Sequence, residues 1–139
     1  MSSNNQNSYV WFDDVNLIPR VVSITRANPN PTSAASVDFT VTFSEPVTGV
    51  DFNDFTLTAS SGISGASITG MSGSGVTYTV TVNTGTGIGT IRLDVVDNDT
   101  IVDSALNPLG GVGAGNGGYT NGETYDVRIY WIYLPLILK

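Results

Sequence analysis

The sequence predicts an all-β protein folded as a β-sandwich, and three observations predict it. Thr, Ser, Val and Gly dominate the chain, with 16 Gly in 139 residues, and β-branched residues suit a pleated surface while glycine suits tight turns. Two stretches alternate with a period of two: Val37, Phe39, Val41, Phe43, and later Val76, Tyr78, Val80, Val82. Such alternation puts one strand face on a core and the other in water. No stretch shows a helical period, and short apolar runs recur between turn signals, the pattern of a sandwich.

The elements follow in order. Residues 1–8 are polar. Tyr9–Ile18 (YVWFDDVNLI) reads as a strand with apolar groups on both faces, ended by Pro19. Val21–Arg26 is a short strand, and Ala27–Ser33 (ANPNPTS) is a Pro/Asn loop. Ser36–Phe43 is the first alternating strand. Phe55–Ala59 and Ile63–Thr69 are weaker strands between Ser/Gly turns, with Glu45 and Pro46 read as a turn. Val76–Val82 alternates again, Thr84–Gly89 (TGTGIG) turns, and Ile91, Leu93 and Val95 point inward. Residues 97–122 form a long Gly/Asn/Asp segment containing PLGGVGAGNGG, and Tyr125–Tyr133 is the last long strand. Long segments without regular structure are unusual unless ordered by something or functional. The division expected is an N-terminal extension with one strand (1–19), a sandwich (20–128) and an apolar C-terminal strand or tail (129–139).

Two phrases carry a resemblance. VVSITRANPNPTSAASVDFTVTFSEPVTGVDFNDFTLT resembles the opening of the bacterial Ig-like domains of secreted and cell-surface proteins. GTIRLDVVDNDTIVDSALNPLGG, followed by YTNGETYDV, resembles their second half. The resemblance covers roughly residues 20–127. It implies an immunoglobulin-like β-sandwich, here with additional N- and C-terminal strands. It also implies an extracellular or cell-surface location, a spacer, stalk or adhesive role, and no catalytic residues. YVWFDDVNLI is similar to the last strand of carbohydrate-binding jelly-roll modules. YLPLILK is similar to C-terminal tails of some multidomain secreted bacterial proteins.

Composition argues against several functions. The formal net charge is −7, with five basic residues. Arg20, Arg26, Arg92, Arg128 and Lys139 are scattered, whereas phosphate binding needs clustered cations. Nucleic acid and anionic membranes are therefore poor partners. With no Cys and no His, thiolate sites, disulfides and the usual general base are missing. Only Glu45 and Glu123 are glutamates, and no nucleophile stands beside a base in motif spacing. The Gly-rich run lacks the P-loop ending and any βαβ context. An enzyme is not expected. MSSNNQNSYVWFDD has neither the basic start nor the apolar stretch of a signal peptide. Ile129–Leu138 is a ten-residue run, against about twenty for a membrane helix.

Asp94, Asp97, Asp99 and Asp103 are the candidate ligands for Ca²⁺, which takes several carboxylate and carbonyl oxygens. Their spacing lacks the Gly and distal Glu of an EF-hand, and the competing reading is a solvated loop with Asx turns. No other cofactor is expected. Asp51 and Asp54 read as caps of a turn before Phe55. Asn98-Asp99-Thr100 is a glycosylation sequon. Trp11, Tyr130, Trp131 and Tyr133 are either a sugar-stacking platform or packed strand residues.

The termini are the most informative feature. Tyr125, Val127, Ile129, Trp131 and Tyr133 share one face, while the other begins with Asp126 and Arg128 and becomes Tyr130, Ile132 and Leu134. A two-sided strand needs cover on both faces. The flanks either fold back together, complete a neighbouring module, or donate a strand to the next copy. Donation is head-to-tail and need not close, so it gives filaments. The expected function is a self-assembling structural subunit, with Trp11, Phe12, Trp131, Tyr133, Leu134 and Leu136 at the interface. The alternatives are a module binding a glycan or a cell-surface protein, and a passive spacer.

Overall fold

The computed structural model describes residues 18–129. The elements are β1 (Val21–Arg26), β2 (Ser36–Thr48), a 3-10 turn (Phe52–Asp54), β3 (Phe55–Ala59), β4 (Ile63–Ser64), β5 (Ser67–Asn83), β6 (Thr86–Gly87), β7 (Gly89–Val95), β8 (Val102–Asp103) and β9 (Thr124–Val127). No α-helix occurs among the described residues. One antiparallel sheet has the order β1-β2-β5, with β8 also on β2, and a second has the order β3-β7-β9. A two-stranded ladder joins β4 to β6. The all-β prediction holds.

Alternation explains the first sheet. Val37, Phe39, Val41 and Phe43 are buried on β2, and Tyr78, Val80 and Val82 are buried on β5. The register sets Val37 against Val82, Phe39 against Val80 and Val41 against Tyr78. Residues opposite each other bring their Cβ atoms to about 5 Å, so each pair packs directly. The second sheet presents Phe55, Ile91, Leu93, Val95, Tyr125 and Val127 to the same core. Phe39 and Tyr125 cross the gap, ring centroids 5.0 Å apart and edge-on at 73°. The inner faces therefore meet in a sandwich-like arrangement. Each fully buried large apolar side chain contributes about 1.5–3 kcal/mol.

Tyr125 also fastens the β1–β2 loop. Its hydroxyl donates to the Asp38 carbonyl (2.5 Å) and accepts from the Ala27 and Asn28 N–H groups (3.0 and 2.9 Å). One buried oxygen thus satisfies two backbone donors that would otherwise be costly to desolvate.

Several sequence expectations need correction. Val76, expected inward, is 39% exposed. The β2–β5 register breaks between Thr42 and Val47, and Gly75 just before Val76 has φ +70°, so the alternation does not extend back that far. Glu45 and Pro46 lie within β2 rather than in a turn. Pro46 falls in that gap of the ladder, where its missing N–H costs nothing. Ser67–Asn83 is one extended segment, but it is not straight. Thr69 Oγ1 donates to the Thr81 carbonyl at 3.3 Å, residues that a straight strand would hold about 40 Å apart. The segment folds back through Gly73 and Gly75, both at positive φ. The expected turn Thr84–Gly89 contains β6. The long segment from 97 onward contains β8 and makes isolated bridges Val95–Tyr119 and Val102–Pro108. The last strand is described only as Thr124–Val127.

Candidate functional site

β2 serves as a ruler for the two ends of the molecule. β1 starts with Val21 opposite Phe43, whereas Ser36 at the other end of β2 faces Asn83. β9 stops with Val127 opposite Gly89. Val127 bridges Thr32, and the Arg128 N–H donates to the Thr32 carbonyl at 2.7 Å. The chain therefore enters at the Phe43 level, the leading end, and leaves near Thr32 and Ser36, the trailing end. Seven strand residues separate these levels on β2, roughly 23 Å at about 3.3 Å each.

At both ends the last described residues lie outside the strands. At the leading end β1 cannot be prolonged backward along β2, because β8 holds that position through Val47–Asp103 and Thr48–Val102. Pro19 is turned aside, its carbonyl accepting from the Gly110 N–H at 2.8 Å. At the trailing end β7 begins at Gly89, so β9 has no β7 partner past Val127. The neighbouring Gly87 is already paired with Ile63.

The leading end is built on carboxylates. Asp51 caps the 3-10 turn, accepting from the Asn53 N–H (2.9 Å) while Asp54 accepts from the Asp51 N–H (2.8 Å). This is the capping role expected of both. Asp54 is wholly buried and also accepts from Thr100 Oγ1 at 2.9 Å, which ties the turn to the following loop. Burial pushes its carboxyl up, against the lowering effect of those hydrogen bonds.

Asp97, buried, accepts from the Asp99 N–H (3.0 Å) and, twenty residues on, the Gly117 N–H (2.8 Å). Asp99, at φ +66°, accepts from the Gly113 N–H at 2.8 Å, while its Oδ1 is buried without a hydrogen-bond partner. Asp103, buried, accepts from the Ala105 and Asn107 N–H groups (3.0 and 2.8 Å) and from Asn107 Nδ2 (3.0 Å). Glycine is needed where this loop doubles back: a Cβ on Gly117 would lie 2.5 Å from the Leu109 carbonyl oxygen.

The four Ca²⁺ candidates are thus placed differently. Asp94 stands apart on β7, gripped by Arg92 Nε at 2.6 Å and Thr58 Oγ1 at 2.6 Å. Asp97 and Asp99 share one loop. Asp103 sits on β8, near Glu45. Among the described residues, no three acidic side chains converge as a metal site. The loop uses its carboxylates largely as Asx-type caps.

Glu45 and Asp103 lie near each other on the neighbouring strands β2 and β8. Burial, then the Asp103 charge, then a hydrogen bond to Asp103 push the Glu45 carboxyl up. Burial also pushes Asp103 up, but the Asn107 side chain, the Asn107 and Ala105 N–H groups and Glu45 outweigh it and hold Asp103 down.

A shallow cleft of about 400 Å³ at the trailing end is lined by Asn28, Pro29, Pro31, Thr32, Ser33, Ala34 and Ser36. It carries no ionisable side chain. The sequon residues Asn98 and Thr100 are exposed, and Asn98 Oδ1 accepts from Thr100 Oγ1 at 2.5 Å. The interface candidates Trp11, Phe12, Trp131, Tyr133, Leu134 and Leu136, and the aromatic Tyr130, lie outside the described residues. Sequence reasoning missed the separation of the flanks to opposite ends, and the glycine-spaced backbone donors that give the loop its aspartate partners.

In comparisons with known proteins, the chain matches no family model, no curated protein and no solved structure. The resemblance to bacterial Ig-like domains rests on the two sequence phrases.

Proposed function

We propose that this chain is a non-catalytic structural module. In this reading it is an immunoglobulin-like β-sandwich, working outside a cell or on its surface, that joins further copies head-to-tail through its terminal segments. The observation that carries the reading is the geometry of the flanks. The described chain enters and leaves at opposite ends of a rigid core, and at neither end do its last described residues continue a strand. A link leaving one end and arriving at the other is heterologous, and repeating it gives an open chain. The pattern of Tyr125–Leu138, which starts one-sided and ends apolar on both sides, supplies the reason to seek a partner, because an uncovered apolar strand is an aggregation hazard.

The test compares the purified chain with one lacking residues 130–139, by light scattering and negative-stain electron microscopy. The full chain should form extended particles, and the shortened chain should be a folded monomer. Extended particles from the shortened chain would exclude donation of the C-terminal segment. A monomeric full chain would favour a spacer or a glycan-binding module, and a glycan array would then separate those two.

A further inference from the structure

We infer that the acceptor in this assembly is the leading end of the module, and that its occupant is the segment 129–138 of a second copy. The inference rests on the head-to-tail reading and names its site.

Exposed large apolar side chains are unevenly placed. Eight occur among the described residues, and five are in the entry, turn and loop segments that cap the leading end: Ile18 (41%), Phe52 (52%), Val96 (41%), Leu106 (74%) and Val112 (86%). Val22 and Val76 lie on the first sheet toward the same end, at the Phe43–Val47 levels of β2, and Ile88 lies at the trailing end. Scattered exposed apolar residues need no explanation, but their concentration at one end of a module marks a contact surface.

The surface is also held in place. Phe52 sits in the 3-10 turn capped by Asp51, and the Val96 N–H is fixed to the Asp54 carbonyl at 2.7 Å. Leu106 lies in the turn held by Asp103, its N–H on the Asp103 carbonyl at 3.0 Å. The N–H of Gly113, which follows Val112, is held by Asp99. A surface preorganised in this way loses little conformational freedom on binding. The carboxylate-held loop thereby acquires a purpose: it presents apolar side chains.

Three considerations select the occupant. First, β9, which precedes the segment, runs toward the trailing end and away from the leading end. Returning along its own module would use about seven residues to recover 23 Å, leaving few of its ten for contact. A second copy brings the whole segment. Second, residues 129–138 are apolar throughout apart from their tyrosine hydroxyls. Third, the charges agree. The leading end carries the half-buried Glu45 and the exposed Asp51 beside the exposed Arg20, whereas the segment has no acid and is followed by Lys139.

The experiment uses the parent chain, three full-length variants and one deletion. The substitutions are Val112→Asp alone and Phe52→Asp with Val112→Asp, with Ile88→Asp, exposed at the trailing end, as a control away from the leading end. The deletion lacks residues 129–139. Size is followed by sedimentation velocity against concentration, and folding by thermal melting. The double variant should need at least roughly tenfold more protein to assemble, the loss typical of damaged contact residues, while melting like the parent. Val112→Asp lies on the exposed glycine-rich loop and should shift assembly in the same direction without touching the core. The control should assemble like the parent. Mixing the double variant, which keeps its tail, with the deletion, which keeps its leading end, should give discrete two-chain particles and no longer ones. Parent-like assembly by the double variant would overturn the acceptor assignment and leave the head-to-tail reading standing. A parent chain that stays monomeric at every concentration would overturn both.

Discussion

The two sheets and the loop at the leading end are both ordered, but by different physics. The sheets owe their order to alternation: every second residue from Val37 to Phe43 on β2 and from Tyr78 to Val82 on β5 is apolar, and the register brings them face to face in one core. Between residues 96 and 118 only Ile101 and Leu109 are buried large apolar anchors. There the aspartates Asp97, Asp99 and Asp103 do the holding, each accepting backbone N–H groups. Apolar burial is non-directional and tolerates exchange of similar shapes. Capping by a carboxylate is directional and local, and it fails when one oxygen is lost.

The difference can be broken experimentally, starting in the core. Leu93→Ala, at a wholly buried site of β7, should destabilise the whole module by about 3–4 kcal/mol, read from urea unfolding. Tyr125→Phe keeps the ring but leaves the Ala27 and Asn28 N–H groups without their acceptor, and should cost about 2 kcal/mol. Asp97→Ala should cost about 1–2 kcal/mol. Its effect should be local, with faster amide exchange at Asp99 and Gly117 and protection of β2 and β7 unchanged. Uniformly faster exchange across the sheets would mean that the loop and the core unfold as one unit.

The smallest effect concerns the pair at the junction of the two regions. The carboxyl of Glu45 is raised above its ordinary 4.5 in the folded chain, so the protonated form favours the fold. Its contribution is complete below the ordinary value and is lost as pH rises through the raised one. Asp103 is lowered, so its contribution is present above the ordinary aspartate value and is lost as pH falls through the lowered one. Glu45→Gln should remove the first loss and spare the second. Melting at pH 7 should rise by the equivalent of about 0.5 kcal/mol, and the acid-side fall should remain. A melting curve unchanged across pH would mean that the two carboxyls do not interact.

The sequence made the sheets legible because alternation is a pattern of residue type. β1 and β3 were read with the bounds they have, and the inward sets of β2 and β7 were read correctly. The hairpin inside β5 was half legible. Its two arms were seen as separate strands, but Val76 was placed inward because alternation gives no warning of a register break. The loop was legible only as a question. Asp97 and Gly117 are twenty residues apart, and no local signal links a carboxylate to so distant an N–H. The opposite placement of the flanks was not legible at all. It depends on β8 taking the position beside β2 that a backward extension of β1 would need, and β8 is only two residues long.

The central claim is that copies join in one direction, end to end. Sedimentation velocity of the full chain over a hundredfold range of concentration tests it most directly. The account predicts a ladder of species at successive multiples of one chain, lengthening as concentration rises, because a heterologous link leaves a free site at each end. A single closed dimer that stops growing, or a monomer throughout, would contradict it.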